Sequence, residues 1–377
     1  MSVYLDNAAT TKPCEEAVKA AVDAMTVNFG NPSSLHRAGL DAQLCMDKAR
    51  KIIAGTVGVQ EECLYFTSGA TESNNLALRG IAAAYGRRKK KIVISSVEHA
   101  SVDETASALE KEGFTIVRVA PREDGRFYAA DFADACDEDT CLVSMMYVNN
   151  ETGYIMPVRE AFSLIRRKFP DIITHSDCVQ AYMKLPVRAK ALGADLISLS
   201  SHKIHGVKGV GALYIKKGVR VVPVITGGKQ EKGIRSGTES VPLIAAFGAA
   251  AEKLSKTIDE RYERLTELKS YLLGRLSGLD GITVNSPEDA SPYILNISVT
   301  GKRSEIMLHF LESCGVYVSS GSACSKGQQS GVLGQFGITG ERADGAVRIS
   351  MSAETMEAEL DILADALAEG IEKVRGK

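Results

Sequence analysis

The chain has 377 residues, 45% of them hydrophobic and 24% charged, and a formal net charge of −2. That length suits roughly two to three domains with a sizeable core, and the near-neutral balance argues against a nucleic-acid-binding or membrane-surface protein. No apolar run approaches the ~18 residues that cross a bilayer. The opening MSVYLDNAATT lacks a basic stretch followed by a hydrophobic one, so the expectation is a cytoplasmic protein without a secretory leader.

Two helices are predicted first. PCEEAVKAAVDAM (13–25) places Val18, Ala21, Val22 and Met25 on one face, and GLDAQLCMDKARKII (39–53) repeats the pattern with Leu40, Leu44, Ile52 and Ile53. From Leu64 short apolar runs alternate with amphipathic stretches. The runs are LYFT (64–67), KIVIS (91–95), TIVRV (115–119), CLVSMMYV (141–148), DIITHSD (171–177), DLISLS (195–200) and GALYI (211–215). Strands that are apolar throughout and separated by helices predict a mostly parallel sheet covered on both faces. Beyond Val241, residues 242–276 read as one long helix or two abutting ones. Strand-like YILNISV (293–299), helical EIMLHFLESCG (305–315), AVRIS and a last helix follow. The expected class is α/β, with a large mostly parallel-sheet domain over 15–255 and a smaller α+β domain made of 1–14 and 256–377.

Eight cysteines (14, 45, 63, 136, 141, 178, 314 and 324) are scattered without a CxxC pair, so no metal site is expected and most should be free, buried and inert. In open α/β sheets ligands collect beyond the carboxyl ends of the strands. After LYFT comes SGATESNN, where Ser68 to Thr71 form a small-residue turn that opens a helix, suited to a phosphate. After KIVIS comes His99. After the next run come Asn149 and Asn150. After DIITHS comes Asp177, with Gln180 beyond it, and an acid there needs a cationic or hydrogen-bonding partner. After DLISLS come Ser200, His202 and Lys203, followed by glycines at 206, 209 and 211.

A phosphate turn, an imidazole, a carboxylate and a lysine on one rim match the needs of pyridoxal 5'-phosphate. Its aldehyde takes a lysine, its ring nitrogen an aspartate and its phosphate small residues and hydroxyls. A lysine among glycines and apolar strands is desolvated and so made nucleophilic, which singles out Lys203. The glycines are expected to let backbone pass close to the cofactor. Lys208 competes for the role but sits inside the loop rather than at the strand end.

Taken in order, LDNAATT (5–11), GNPSSLH (30–36), FTSGATESNN (66–75), EHAS (98–101), NNETG (149–153), SLSSHKIHG (198–206), RSGT (235–238) and SSGSACS (319–325) carry a resemblance. The chain resembles the cysteine desulfurases of the NifS/IscS type, in the class V aminotransferase group of fold-type I pyridoxal-phosphate enzymes, from residue 4 to the last helix. The resemblance implies that Lys203 holds the cofactor, Asp177 pairs with its ring nitrogen and His99 stacks on the ring. It also implies Gln180 for the ring hydroxyl, and Ala70, Thr71, Ser200 and His202 for the phosphate. Thr238 would complete that cradle from the other subunit of a homodimer, and Arg348 with Asn150 would take the substrate carboxylate. The implied reaction converts L-cysteine to L-alanine and leaves a persulfide on Cys324 for an acceptor protein, either an iron–sulfur scaffold or a thiolation relay. Cys324 lies in SSGSACSKGQQSG, a run without apolar periodicity that reads as an exposed loop. Three departures from the family pattern, KGQQSG after Cys324, Val207 before Lys208 and the flanks of HSDCVQ, touch no catalytic position. Selenocysteine or cysteine lyase, a simple aminotransferase and a catalytically idle binding subunit are the rival readings.

Overall fold

A computed structural model of the chain describes residues 2–320 and 331–374. Its strands are β1 (Val3–Tyr4), β2 (Leu64–Thr67), β3 (Lys91–Ser95), β4 (Thr115–Val119), β5 (Thr140–Ser144), β6 (Ile173–Asp177), β7 (Leu196–Ser200), β8 (Gly211–Ile215), β9 (Ile282–Val284), β10 (Ile294–Val299), β11 (Val316–Tyr317), β12 (Ser319–Ser320) and β13 (Ala346–Ser350). Seven of them form one sheet in the order β2-β8-β7-β6-β5-β3-β4. The pairs from β7 to β4 are parallel, and β8 is antiparallel to both its neighbours, so it alone in this sheet runs against the rest. β5, β6, β7 and β8 are buried along their whole length, as strands covered on both faces must be.

The helices around it are α1 (Glu15–Thr26), α2 (Arg37–Val57), α3 (Ala70–Tyr85), α4 (Ala100–Lys111), α5 (Ala129–Asp134), α6 (Val158–Lys168), α7 (Ala189–Leu192) and α8 (Val241–Leu254), and α9 (Ile258–Leu276) leads on to a separate core. The apolar stretch after Val241 is thus two helices, broken at residues 255–257. The faces expected to be buried on α1 and α2 pack only in part: Ala21 and Ile53 are buried and Ile52 lies against the core, but the other expected residues do not pack. α1 buries Ala17, Ala21 and Ala24, and α2 buries Ala42, Met46, Ala49 and Ile53. Val18, Val22, Met25, Leu40 and Leu44 are exposed, Val18 at 48% and Leu44 at 55%. The reason is close helix approach: a Cβ on Gly248 of α8 would sit 2.7 Å from that of Ala49, so small residues take the contact and larger ones are turned outward.

A second, antiparallel sheet has the order β12-β13-β10-β9, and β1 pairs in parallel with β11 beside it. Val3, Leu5, Leu265, Leu268, Leu272, Ile294, Ile349, Leu363 and Leu367 share its core. Asp6 bridges to Ser350, which draws the segment after β1 to the end of β13 and sets Ala8 and Ala9 against Lys203. Among the described residues no helix is long and apolar enough to cross a membrane.

Candidate active site

The carboxyl ends of β2, β3, β5, β6 and β7 border one cavity of about 1340 Å³. Ala70, Thr71, His99, Asn150, Asp177, Gln180, Ser200, His202, Lys203 and Arg348 all line it. Thr238 does not line it and is exposed. Cys324 lies outside the described residues.

The turn from β2 into α3 is made by Gly69, whose φ of 156° an L side chain rarely adopts. β8 presses on it: a Cβ on Gly211 would stand 2.8 Å from the Gly69 Cα and 2.6 Å from the Leu199 carbonyl oxygen. The first-turn amides of α3, at Ala70 and Thr71, therefore open on the cavity with the positive end of the helix behind them. Glu72 would repel an anion here, but both its oxygens are engaged. One accepts from the Ser68 amide at 2.7 Å and the other from Arg235 Nε at 2.9 Å. Burial alone would raise its pKa, and these bonds more than offset that, holding it below the usual carboxylate range. The glycines after Lys203 serve different ends. Gly209, at φ 87°, borders the cavity, whereas a Cβ on Gly206 would collide with Ser201 Oγ at 2.1 Å, so Gly206 makes room for packing rather than for a ligand.

Asp177 ends β6 nearly buried, and its partners are hydrogen-bond donors. Val179 N–H reaches Oδ1 at 2.9 Å and Asn74 Nδ2 reaches Oδ2 at 2.7 Å. Asn74 also donates to Ser101 Oγ at 2.8 Å, and Ser101 Oγ is 2.8 Å from His99 Nδ1. The Ser101 amide donates to the same nitrogen, so Nδ1 is an acceptor and the neutral ring carries its proton on Nε2. Sequence reasoning missed Asn74. Its only signal was the polar SNN ending of the phosphate turn.

Lys203 follows β7 in a short 3-10 turn and its Nζ donates to the carbonyls of Ala8 and Ala9, the latter at 2.6 Å. Burial, helped by the positive charge of Arg348, pushes its pKa down to about 8, while Asp6 and Asp177 pull the other way. The same burial, with Lys203 and Lys208 nearby, takes His202 to about 4, so its ring is neutral at pH 7. Lys208 borders the cavity but is exposed. Ser200 Oγ is buried without a hydrogen-bond partner among the described residues. Arg348 donates to Asp6 at 3.0 Å and to the Asn150 carbonyl at 3.0 Å, and its buried Nε has no partner among the described residues.

Glu98, also unforeseen, lines the cavity with its side chain buried. Ser95 Oγ and the Met146 amide both donate to Oε1, and Oε2 has no partner among the described residues. Burial raises its pKa to about 8, so it is largely protonated at neutral pH. Cys178 is fully buried and its thiol is pushed up to about 12, as are those of Cys136 and Cys141, again by burial. These three are packing groups, not nucleophiles. Among the described residues no group of three or more histidines, cysteines or acids could hold a metal ion.

A lysine, an acid and a helix N-terminus facing one cavity at the carboxyl ends of a mostly parallel sheet fit the aminotransferase family whose model, Aminotransferase class-V, matches residues 3–363, and the chain belongs to that family. It is 40% identical over 377 residues to a protein named cysteine desulfurase IscS from Dictyoglomus turgidum, a match over 99% of this chain and 95% of that one. A second cysteine desulfurase IscS, from Methanosarcina thermophila, is 37% identical over 99% of this chain and 93% of its own. Among solved structures, a NifS-like protein superposes with a TM-score of 0.94 at 35% identity, covering 99% of this chain and 100% of that one. SspA, solved in complex with cysteine, gives 0.84 at 30% identity, covering 94% of this chain and 100% of its own.

Proposed function

We infer that the chain is a cysteine desulfurase, dependent on pyridoxal 5'-phosphate held in this cavity. The observation that carries the reading is Lys203: a desolvated amine on the rim that also holds Asp177, His99 and the α3 amides. The residues fit the group. Ser200 Oγ is a buried hydroxyl without a partner among the described residues, the Gly69–Thr71 turn offers amides with no room for a side chain at Gly211, and the carboxylate of Asp177 is held by two donors. Ala70, Thr71, Ser200 and His202 would hold the phosphate, Asp177 the ring nitrogen, Gln180 the ring hydroxyl and Lys203 the aldehyde carbon. When bound, the group would supply a carbonyl that captures an amine and a ring that accepts electrons from the adjacent Cα–H bond.

The chain's own residues do the rest. Arg348 borders the cavity, and its planar guanidinium suits the carboxylate of L-cysteine, with Asn150 beside it. Lys203, its amine made less basic by burial, takes and returns the α-proton. His99, with its Nδ1 fixed by Ser101, exchanges a proton through Nε2 with the substrate amine or thiol. The Cys324 thiolate attacks the substrate sulfur. An S–S bond forms as the Cβ–S bond breaks, and its electron pair stays with the three-carbon skeleton, which takes up a proton and leaves as alanine. Cys324 keeps a persulfide for an acceptor protein, a scaffold for iron–sulfur clusters or a thiolation relay. Gly331 and Val332, which border the cavity, stand only seven and eight positions beyond Cys324.

The functional unit is a homodimer in the cytoplasm. The outward apolar faces of α1 and α2 offer it an interface, and exposed Thr238 would reach the partner's phosphate site. The experiment is Cys324→Ala. The variant should keep the yellow colour of bound cofactor and lose alanine formation from cysteine, whereas normal turnover would exclude the persulfide route.

A further inference from the structure

We propose that Lys184 is a positioning residue: by holding the oxygen end of the Gln180 amide, it turns the nitrogen end toward Ala8 and the cofactor cavity. The inference rests on the pyridoxal-phosphate reading of that cavity and concerns a residue that does not line it.

Lys184 is only 6% exposed and comes four positions after Gln180. Its Nζ donates to Gln180 Oε1 at 3.1 Å and lies 5.2 Å from the centre of the Tyr293 ring. Among the described residues no carboxylate pairs with it. The other charges that face it are Lys203, Arg261 and Arg348, all positive. A lysine with no acid beside it in the protein interior is costly, and burial with those three cations brings its pKa down to about 7. Its amine therefore serves as a hydrogen-bond donor rather than as half of an ion pair.

Gln180 is fixed at both ends. Its Nε2 donates to the Ala8 carbonyl at 2.9 Å, and Lys203 Nζ donates to that same carbonyl. Turning the amide over would set its oxygen against the Ala8 carbonyl, acceptor on acceptor, and would cost the Lys184 amine, while it is charged, the acceptor it donates to. Lys184, Gln180, Ala8 and Lys203 thus form one chain of hydrogen bonds, and a small pocket bordered by Lys184, Lys203, Arg261 and Tyr293 lies behind it. What Gln180 presents to the cavity is a donor. A donor suits the oxyanion of a ring hydroxyl, and a carbonyl would repel it.

Titrating apoprotein with pyridoxal phosphate, read by the visible band, tests this with two variants. Lys184→Met removes the donor, and Lys184→Gln keeps a neutral one. The wild type is expected to bind and colour. Lys184→Met should bind about tenfold more weakly with a displaced band, the effect of one lost orienting hydrogen bond. Lys184→Gln should return to within about twofold of wild type with the native band. Wild-type affinity and band in Lys184→Met would overturn the proposal, as would equal loss in both variants, which would assign the effect to charge or packing. Thermal unfolding of each apoprotein identifies a variant that does not fold, in which case Lys184→Leu replaces Lys184→Met. A wild type that takes up no pyridoxal phosphate would instead overturn the functional reading.

Discussion

Glu98→Gln isolates one buried proton. In the folded chain the carboxyl takes two hydrogen bonds on Oε1 and has no partner on Oε2 among the described residues, and a glutamine reproduces the two acceptor bonds without being able to ionise. The folded group holds its proton up to about pH 8, whereas the unfolded one releases it near its ordinary value of 4.5. Between those values the native state binds the extra proton, so stability must fall as pH rises through that window. At about 1.4 kcal/mol per unit the ceiling is about 5 kcal/mol, and dielectric relaxation should reduce it to about 3. The assay is urea unfolding of wild type and variant at fixed protein concentration, from about pH 5 to 8. The stability of wild type minus that of the variant should decline by about 1 kcal/mol per pH unit. A difference that stays constant over that range would refute a neutral Glu98 beside the cavity.

Two further outcomes follow from the same geometry. Gly211→Ala pushes a methyl group against the Gly69 turn and the Leu199 carbonyl, and should cost about 1–3 kcal/mol in unfolding free energy and weaken cofactor binding more than Gly209→Ala does. An unchanged affinity for pyridoxal phosphate would detach the turn from the phosphate. Val22→Asp combined with Leu44→Asp charges the outward face of α1 and α2, and sedimentation should then show a monomer. A dimer that persists would place the interface elsewhere.

The strand runs were legible because buried parallel strands are apolar throughout, and β2, β3, β4 and β8 fall on the expected residues. The residues next to their carboxyl ends were legible for the same reason, since knowing where a strand stops names what stands on the rim. The face of α1 was misread because periodicity marks an apolar stripe without saying what covers it, and at this helix contact the small alanines were the packing residues. The partner of Asp177 was hidden too. Asn74 precedes it by 103 positions, and only the fold brings α3 to the end of β6. Glu98 and Lys184 look like surface residues in the sequence, and their protonation behaviour comes from burial, which no local pattern records.

The central claim is that one amine, on Lys203, carries the cofactor. Reduction of the yellow protein with borohydride, followed by proteolysis and mass mapping, measures it directly. The account predicts a single pyridoxyl label on the peptide that contains Lys203. A label on Lys208 or Lys184, or a purified protein that supplemented pyridoxal phosphate leaves colourless, would contradict it.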